Sequence, residues 1–166
     1  QRYDQAAQYA STAVTLDPNH IDYRELYATI LDSLERQDDA IFQRAYMYYL
    51  EGKKREFVGQ WDLALDDYQA ASALAEDATF LAAQGHIYLK KQFLLEAELM
   101  LQQALELNPQ HTDALYGLGL LAAEKEEYNQ AIDYFERALV ENDDNARPPD
   151  SLAVSYNKSG DTDRAT

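Results

Sequence analysis

Residues 112–145 read TDALYGLGLLAAEKEEYNQAIDYFERALVENDDN, and this stretch decides the fold. Its apolar residues return every three or four positions in two runs, and a short polar break at Glu126 and Glu127 separates the runs. That spacing predicts two amphipathic helices joined by a turn. One small residue in the first run and two in the second would let antiparallel helices pack closely around a bulky side chain. These residues are Gly119, Ala131 and Ala138, with Phe135 as the bulky side chain.

The same arrangement recurs along the chain with spacings of 33 or 34 residues. A column of small residues in the first run is followed by an alanine column, a bulky column and a second alanine column. The columns are Gly52, Gly85, Gly119 and Ala153; Ala64, Ala97, Ala131 and Ala165; Tyr68, Leu101 and Phe135; and Ala71, Ala104 and Ala138. A fixed period of this kind predicts stacked helical hairpins in which each unit contacts its neighbours.

These columns resemble the tetratricopeptide repeat, whose unit of about 34 residues is a helix-turn-helix with small residues, aromatic residues and a terminal proline in this order. Pro18 and Pro109 stand at that terminal position, whereas Glu76 and Asp143 replace the proline in two units. The resemblance implies an all-α fold, namely a right-handed superhelix (α-solenoid) of antiparallel helix-turn-helix tetratricopeptide units. The first helices would line its concave side.

The resemblance also divides the chain into parts. Whole repeats are expected at residues 45–77, 78–111 and 112–145, preceded at 1–20 by the second helix of a truncated repeat. Residues 146–166 would form the first helix of a truncated or C-terminal repeat. Because the sequence begins in the middle of a repeat and without an initiator methionine, we expect it to be cut from a longer chain or processed.

Residues 21–44 are predicted to be an irregular helical segment. Ala6 and Ala64 occupy equivalent columns, yet 58 residues separate them, where two full repeats would need about 68. We interpret Asp22–Arg36 as one helix and Asp39–Val58 as one long helix whose later part is the first helix of the next repeat. The alternative is a degenerate repeat with a shortened second helix.

Composition excludes several classes of function. Fourteen Lys and Arg against 30 Asp and Glu give a formal net charge of −16. That charge repels phosphate backbones and anionic lipids, so no nucleic acid partner is expected. The chain has no cysteine and hence no disulfide or thiolate zinc site, and its apolar runs are far shorter than the roughly 18 residues of a membrane span. The acidic, cysteine-free composition favours a bacterial periplasm or cell envelope without deciding the compartment.

No catalytic constellation is evident in the sequence, so we expect a protein that is not an enzyme and needs no cofactor. His20, His86 and His111 do not form a metal triad, because His20 and His111 share one slot after a proline turn. Paired carboxylates such as Asp66 and Asp67 are expected to be solvated, since acid–base catalysis needs environments that push two pKa values apart. No metal site is predicted.

The resemblance implies that a peptide binds in the concave groove, along the first helices. The candidate peptide-binding residues are Tyr46, Tyr49, Lys53, Phe57, His86, Lys90, Tyr116 and Leu120. The aromatic side chains among them suit a peptide with apolar or aromatic anchors, although a polar wall residue is the more ordinary interpretation of His86. Family members that grip acidic chaperone tails use a clamp of lysines and asparagines, which the corresponding positions lack here. A co-chaperone function is therefore not favoured.

The predicted function is a protein–protein interaction scaffold that binds a peptide or protein segment within a larger assembly, such as bacterial secretion, pilus or envelope polysaccharide assembly. One alternative is a structural spacer or oligomerisation arm that stacks on other copies or domains. The segment Tyr3–Leu16 lacks its hairpin partner, and open array ends of this kind self-associate. Another alternative is the substrate-guiding arm of an enzyme whose catalytic domain lies outside these residues.

Overall fold

The computed structural model describes residues 2–140 and 150–160, and every regular element in them is an α-helix. The helices are α1 (Arg2–Leu16), α2 (Ile21–Ser33), α3 (Gln37–Phe57), α4 (Trp61–Leu74), α5 (Ala78–Lys90), α6 (Leu94–Leu107), α7 (Thr112–Glu124), α8 (Tyr128–Val140) and α9 (Asp150–Ser159). The chain divides into two compact units, Gln1–Glu76 and Asp77–Thr166, here called unit 1 and unit 2. The predicted all-α fold of antiparallel helical hairpins is confirmed. Ala165 of the first alanine column lies outside the described residues.

The hairpins are held together by the small and bulky columns. In unit 1 a Cβ added to Gly52 would lie 2.5 Å from the Tyr68 ring, and in unit 2 a Cβ at Gly85 would lie 2.6 Å from Leu101 Cγ. Both distances are well below van der Waals contact, so only glycine lets the second helix come this close. The predicted packing of small against bulky residues is therefore confirmed. The alanines of the next column are also fully buried, at Ala64, Ala97 and Ala131.

Each hairpin turn contains one residue with a left-handed backbone conformation. Gly59 has a φ of 77°, and Gln92 and Glu126 have φ values of 61° and 63° at the same place in their hairpins. The next residue donates its N–H to a carbonyl five positions earlier, as Phe93 does to Tyr88 at 2.9 Å. This hydrogen bond closes the first helix of the hairpin. The sequence predicts the break at Glu126 and Glu127 but not its left-handed conformation, because glutamine and glutamate are not residues that favour a positive φ.

The α2–α3 hairpin has the same turn as the others. Glu35 has a φ of 59°, and the N–H of Arg36 donates to the Leu31 carbonyl at 2.9 Å. Ala28 and Ala40 are buried and lie seven residues before and five residues after Glu35. The glycine and alanine columns have the same offsets from the turn residue in the other hairpins. The segment predicted to be irregular therefore begins like a regular hairpin.

The departure from regularity comes later, in α3, which runs for 21 residues without a break. The long helix predicted over Asp39–Val58 is confirmed, and the alternative of a shortened second helix is wrong. The helix predicted over Asp22–Arg36 ends at Ser33, because the left-handed turn follows it directly. The division of the chain into repeats stays a prediction.

In unit 2 the helix α7 lies against both α5 and α6. Its Ala114, Leu118 and Leu121 join Ala82 and Leu101 in one buried apolar cluster. Helix α8 pairs with α7, and α9 packs mainly on α8. The apolar core of the α5–α6 hairpin is thus completed by α7, the first helix of the hairpin that follows it.

Candidate peptide-binding surfaces

Helix α3 carries four of the predicted site residues on one face of unit 1. Tyr46, Tyr49, Lys53 and Phe57 follow one another at spacings of three or four residues, which places them on one side of a helix. The rings of Tyr46 and Tyr49 lie 5.1 Å apart, and Lys53 Nζ lies 5.6 Å from the centre of the Tyr49 ring. The structure therefore brings these three together, while Phe57 ends the helix and is 92% exposed.

Tyr49 is also a packing residue. It is 9% exposed, and its ring lies 5.7 Å from the ring of Tyr68 on α4. The Tyr68 hydroxyl donates to Glu56 Oε2 at 2.7 Å, and burial raises the pKa of Tyr68 far above its ordinary value. Both rings hold α4 against α3, so removing Tyr49 would weaken this packing as well as any contact with a ligand.

Tyr46 is covered by a buried arginine. Arg24 of α2 is 5% exposed, and its guanidinium lies 3.7 Å from the centre of the Tyr46 ring in a cation–π contact. Arg24 also donates from Nε to the Pro18 carbonyl and from Nη1 to the Gln43 side chain, each at 2.8 Å. Burial lowers the pKa of Arg24. Arg24 therefore ties α2 to α3 and to the turn before α2, a role for which the sequence pattern gives no signal.

Asp67 departs from the predicted solvated state. It is buried, and its Oδ1 accepts from Arg55 Nη1 at 2.8 Å. Its Oδ2 is buried with no hydrogen-bond partner among the described residues. Burial raises the pKa of Asp67, and the opposing effect of Arg55 does not cancel the shift. The expectation of two solvated carboxylates at Asp66 and Asp67 is therefore wrong for Asp67.

In unit 2 the predicted site residue His86 links α5 to α7. Its Nε2 lies 2.9 Å from the Asp113 carbonyl oxygen, and because a carbonyl only accepts, Nε2 carries the hydrogen. Gly117 leaves room for the ring, since a Cβ at that position would lie 3.2 Å from His86 Cε1. The Nε2 donor is therefore used inside unit 2, which favours the interpretation of His86 as a polar wall residue.

Tyr116 and Leu120 lie one turn apart on α7. Both are half-buried and pack beside the apolar cluster that contains Phe135, and the Tyr116 ring lies 5.6 Å from the Phe135 ring. Lys90 is exposed at the end of α5, which lies beside α7. Unit 2 therefore presents His86, Lys90, Tyr116 and Leu120 on two neighbouring helices.

His111 caps a helix rather than facing a ligand. Its Nδ1 accepts the N–H of Ala114 in the first turn of α7 at 3.3 Å, and its Nε2 lies 3.4 Å from Thr79 Oγ1 on α5. A side-chain acceptor at this position satisfies a backbone N–H that no helical carbonyl reaches. His20 occupies the same slot before α2, where it stacks on Tyr23 at 3.9 Å between ring centres.

Residues 2–140 and 150–160 contain neither a candidate metal site nor a candidate membrane span. In that part of the chain no group of three or more histidine, aspartate or glutamate side chains is arranged to hold a metal ion. Of the helices described above, none has the length and apolar character needed to cross a membrane.

Two open cavities lie in unit 1, and neither is lined by a predicted site residue. One of about 510 Å³ lies between α1, α2 and the turn that joins α2 to α3, and Tyr27 and Arg36 are among its lining residues. The other, of about 450 Å³, lies between α2 and α3 and includes Thr29 and Tyr48. The sequence pattern gave no signal for either cavity, because each depends on how helices pack and not on periodicity.

Residues 82–146 match the family model of the tetratricopeptide repeat. No curated protein sequence matches the chain. Solved structures do match, among them the crystal structure of MamA protein, which is 21% identical over 99% of this chain and 77% of that chain, with a TM-score of 0.60. The Sgt2 tetratricopeptide domain from Aspergillus fumigatus is 18% identical over 73% of this chain and 82% of that chain, with a TM-score of 0.65.

A third similar structure contains a ligand. It is the second tetratricopeptide domain of Spaghetti (RPAP3) bound to the HSP90 peptide SRMEEVD, and it is 26% identical over 60% of this chain and 93% of that chain, with a TM-score of 0.56. These three solved structures share with this chain the fold of stacked helical hairpins described above.

Proposed function

We propose that this chain, which belongs to the tetratricopeptide repeat family through its residues 82–146, is a non-catalytic scaffold that binds a peptide or protein segment along its first helices. The observation that carries the proposal is the pairing of α5 with α7 in unit 2. These neighbouring helices present the half-buried Tyr116 and Leu120 together with the exposed Lys90. Half-accessible apolar side chains bordered by charge suit a bound peptide segment.

The ligand chemistry that suits this surface is a peptide with apolar or aromatic anchors. The similar domain of RPAP3 is bound to an HSP90 peptide, which supports peptide binding as the class of function. An acidic tail held by a cationic clamp is not favoured, because the clamp residues are absent and His86 uses its Nε2 donor within unit 2. Binding through apolar anchors should weaken only modestly as salt is raised, since salt screens charges and not apolar contacts.

In unit 1 the accessible part of the proposed surface is Lys53 and Phe57. Phe57 is 92% exposed, so Phe57→Ala removes an aromatic side chain with no loss of internal packing. Tyr46 and Tyr49 belong to the same face but are engaged by Arg24 and Tyr68. We therefore expect Phe57 to be the informative position in this unit.

The test is a binding measurement with matched variants. A partner captured with the intact chain is identified, and its Kd is measured for the wild type and for Lys90→Ala/Leu120→Ala. The control, Leu95→Ala/Leu99→Ala, removes two exposed leucines from α6. We expect the first variant to bind at least about tenfold more weakly, as loss of a central anchor does, and the control to bind like the wild type. Thermal unfolding checks that both variants are folded. Equal loss in both variants, or none in the first, would contradict the proposal.

A second candidate function is self-association through α1. Ala6 and Ala13 occupy the alanine columns, yet both are half-exposed, whereas their counterparts in α6 are fully buried. Tyr9 and Leu16 lie on the same side of α1 and are exposed. If this face pairs with another copy, Tyr9→Lys/Leu16→Lys should shift sedimentation velocity profiles towards a monomer. A wild-type chain that is already monomeric at high concentration would speak against it. The larger assembly, whether in bacterial secretion, pilus or envelope polysaccharide assembly, stays a prediction.

A further inference from the structure

The cavity of about 450 Å³ in unit 1, here called the α2–α3 groove, has a counterpart in unit 2. The turn residues Glu35 and Gln92 have the same backbone conformation and lie 57 positions apart. Each residue of the α2–α3 hairpin therefore corresponds to the residue 57 positions later. On the α2 side the groove is lined by Glu25, Ala28 and Thr29, which correspond to Ala82, Gly85 and His86 of α5.

The α3 side of the groove shows the same correspondence. It is lined by Arg44, Met47 and Tyr48, which correspond to Leu101, Ala104 and Leu105 of α6. In unit 2 these α5 and α6 residues form the α5–α6 groove, and the apolar stripe of α7 is buried in it. By its position in the hairpin, the α2–α3 groove is therefore a helix-docking groove.

No described helix of unit 1 fills the α2–α3 groove, because α3 does not turn back. Helix α6 ends at Leu107, and the following turn at Pro109 returns the chain as α7. The corresponding point of α3 is Leu50, which lies inside an unbroken helix. Unit 1 lacks this turn, and its absence accounts for the shortened spacing between the alanine columns in this part of the sequence.

We propose that the α2–α3 groove docks one amphipathic helix of a basic partner protein, in the way that α7 docks in the α5–α6 groove. Helix α7 supplies the template, a small residue followed by leucines four and seven positions later, at Ala114, Leu118 and Leu121. The α2–α3 groove keeps a small and apolar floor at Ala28 and Met47. An apolar helix face docking in a groove is a common mode of protein recognition.

The charges around the groove select a basic helix over a second copy of this chain. Glu25 and Glu51 border the groove, and the Glu25 carboxylate has no ion pair in the described part of the chain. Glu51 pairs with Lys54 at the exposed surface, and Arg44 is paired with Asp32. A second copy would bring a further net charge of −16. Basic side chains beside the apolar stripe would instead complement the two glutamates.

This inference does not rest on the proposed peptide-binding surface. The groove uses Met47 and Tyr48 of α3, whereas the predicted site residues on the same helix are Tyr46, Tyr49, Lys53 and Phe57. Binding to one surface can therefore fail while binding to the other succeeds, and variants of the two surfaces distinguish the outcomes.

The probe for the test is a synthetic peptide that copies residues 110–126 with Asp113→Lys, Glu124→Lys and Glu126→Lys. It keeps the apolar stripe of α7 and adds basic residues at its flanks. Its Kd for the intact chain is measured by fluorescence anisotropy. We expect saturable binding at one site, which becomes weaker as salt is raised because part of the attraction is between charges.

Two double variants with equal changes in net charge locate the peptide. In Glu25→Lys/Glu51→Lys the charges that border the groove are reversed, and the peptide should bind at least about tenfold more weakly. In Glu96→Lys/Glu106→Lys the same change is made at exposed positions of α6, and the affinity should fall less than about threefold. An equal loss in both variants would mean that only net charge attracts the peptide, which would overturn the inference.

A third variant, Thr29→Trp, fills the groove without changing its charge. Thr29 is exposed, so the hairpin should fold as before, and the peptide should bind at least about tenfold more weakly. If the wild type does not bind the peptide, or if Thr29→Trp binds it like the wild type, the inference is overturned. A self-association of the chain that Thr29→Trp abolishes would also overturn it, because a second copy would then occupy the groove.

Discussion

The α2–α3 and α5–α6 hairpins begin with the same turn but are completed differently. Glu35 and Gln92 have the same left-handed backbone conformation, and both hairpins carry small residues at the same offsets from it. After α6 the chain returns as α7 and buries the α5–α6 groove, whereas α3 continues to Phe57 and leaves its groove open. The core of a repeat is thus completed by its neighbour, and one missing turn converts a core position into a surface.

The largest effect expected from this comparison is the cost of Leu101→Ala. Leu101 is fully buried in the cluster that α7 completes, so its removal leaves a cavity and should lower the free energy of unfolding by about 2–5 kcal/mol. Arg44→Ala, at the corresponding position of the open groove, should cost less than about 1 kcal/mol, because the ion pair with Asp32 is exposed. Urea unfolding followed by circular dichroism measures both values. Equal costs would mean that the two grooves are packed alike.

The next effect in size comes from overpacking. Ala104 is fully buried, so Ala104→Leu should lower the free energy of unfolding by about 1–3 kcal/mol. Its counterpart Met47 is partly exposed in the open groove, and Met47→Leu should change stability by less than about 0.5 kcal/mol. Thermal unfolding of the two variants is the measurement. An unchanged Tm for Ala104→Leu would reject the register in which the alanine columns face the neighbouring helix.

The sequence was sufficient to predict the parts of the fold that depend on steric complementarity between close helices. Gly85 and Leu101 were recognised because a close helix contact needs a small residue facing a bulky one, and that requirement repeats with the hairpin. The break in the N-terminal part was also detected, from the shortened spacing of the alanine columns. The open α2–α3 groove is not evident from the sequence. The shortened spacing shows that a turn is missing, but it does not show which surface is left uncovered.

The candidate site was predicted less well, for a physical reason. Periodicity identifies the face of a helix but not which of its side chains contact a neighbouring helix. Tyr49 and His86 were assigned to the ligand-binding face, and the structure shows the Tyr49 ring packed near Tyr68 and the Nε2 donor of His86 used by Asp113. The sequence gives no signal for Arg24, since its burial depends on contacts with two other segments, the turn at Pro18 and helix α3.

Substituting glycine for the left-handed turn residues should change the free energy of unfolding by a smaller amount, and in the same direction in both hairpins. Gln92→Gly and Glu35→Gly replace exposed residues that have positive φ values. Each should raise the free energy of unfolding by about 0.5–1 kcal/mol, because glycine adopts this conformation without a steric cost. Chemical denaturation compares the two gains. A gain at Gln92 with a loss at Glu35 would show that the two hairpins do not share a turn.

The smallest effects concern the pH dependence of two aspartates in unit 1. Arg44 lowers the pKa of Asp32 through its hydrogen bond, so ionised Asp32 stabilises the fold above its unfolded-state pKa. That contribution is lost as pH falls through the lower folded-state pKa. Burial raises the pKa of Asp67, so ionised Asp67 costs stability above its folded-state pKa. That cost disappears as pH falls below the unfolded-state pKa.

Asparagine variants should therefore show pH dependences of opposite sign. As pH is lowered from about 7 to about 3, Asp32→Asn should become more stable relative to the wild type, and Asp67→Asn should become less stable relative to it. Unfolding free energies measured across this range give the two slopes. Slopes of the same sign would contradict the different environments assigned to the two carboxyl groups.

Thiol labelling tests most directly whether the α2–α3 groove is open where the α5–α6 groove is filled, because the chain contains no cysteine of its own. Met47→Cys and Ala104→Cys place one thiol at corresponding positions, and Leu95→Cys on the exposed face of α6 provides the reference rate. We predict that Met47→Cys reacts within about tenfold of the reference rate. Ala104→Cys should react at least about a hundredfold more slowly, since its thiol is reached only when α7 opens. Equal protection of the two thiols would contradict the account, because the α2–α3 groove would then be covered as its counterpart is.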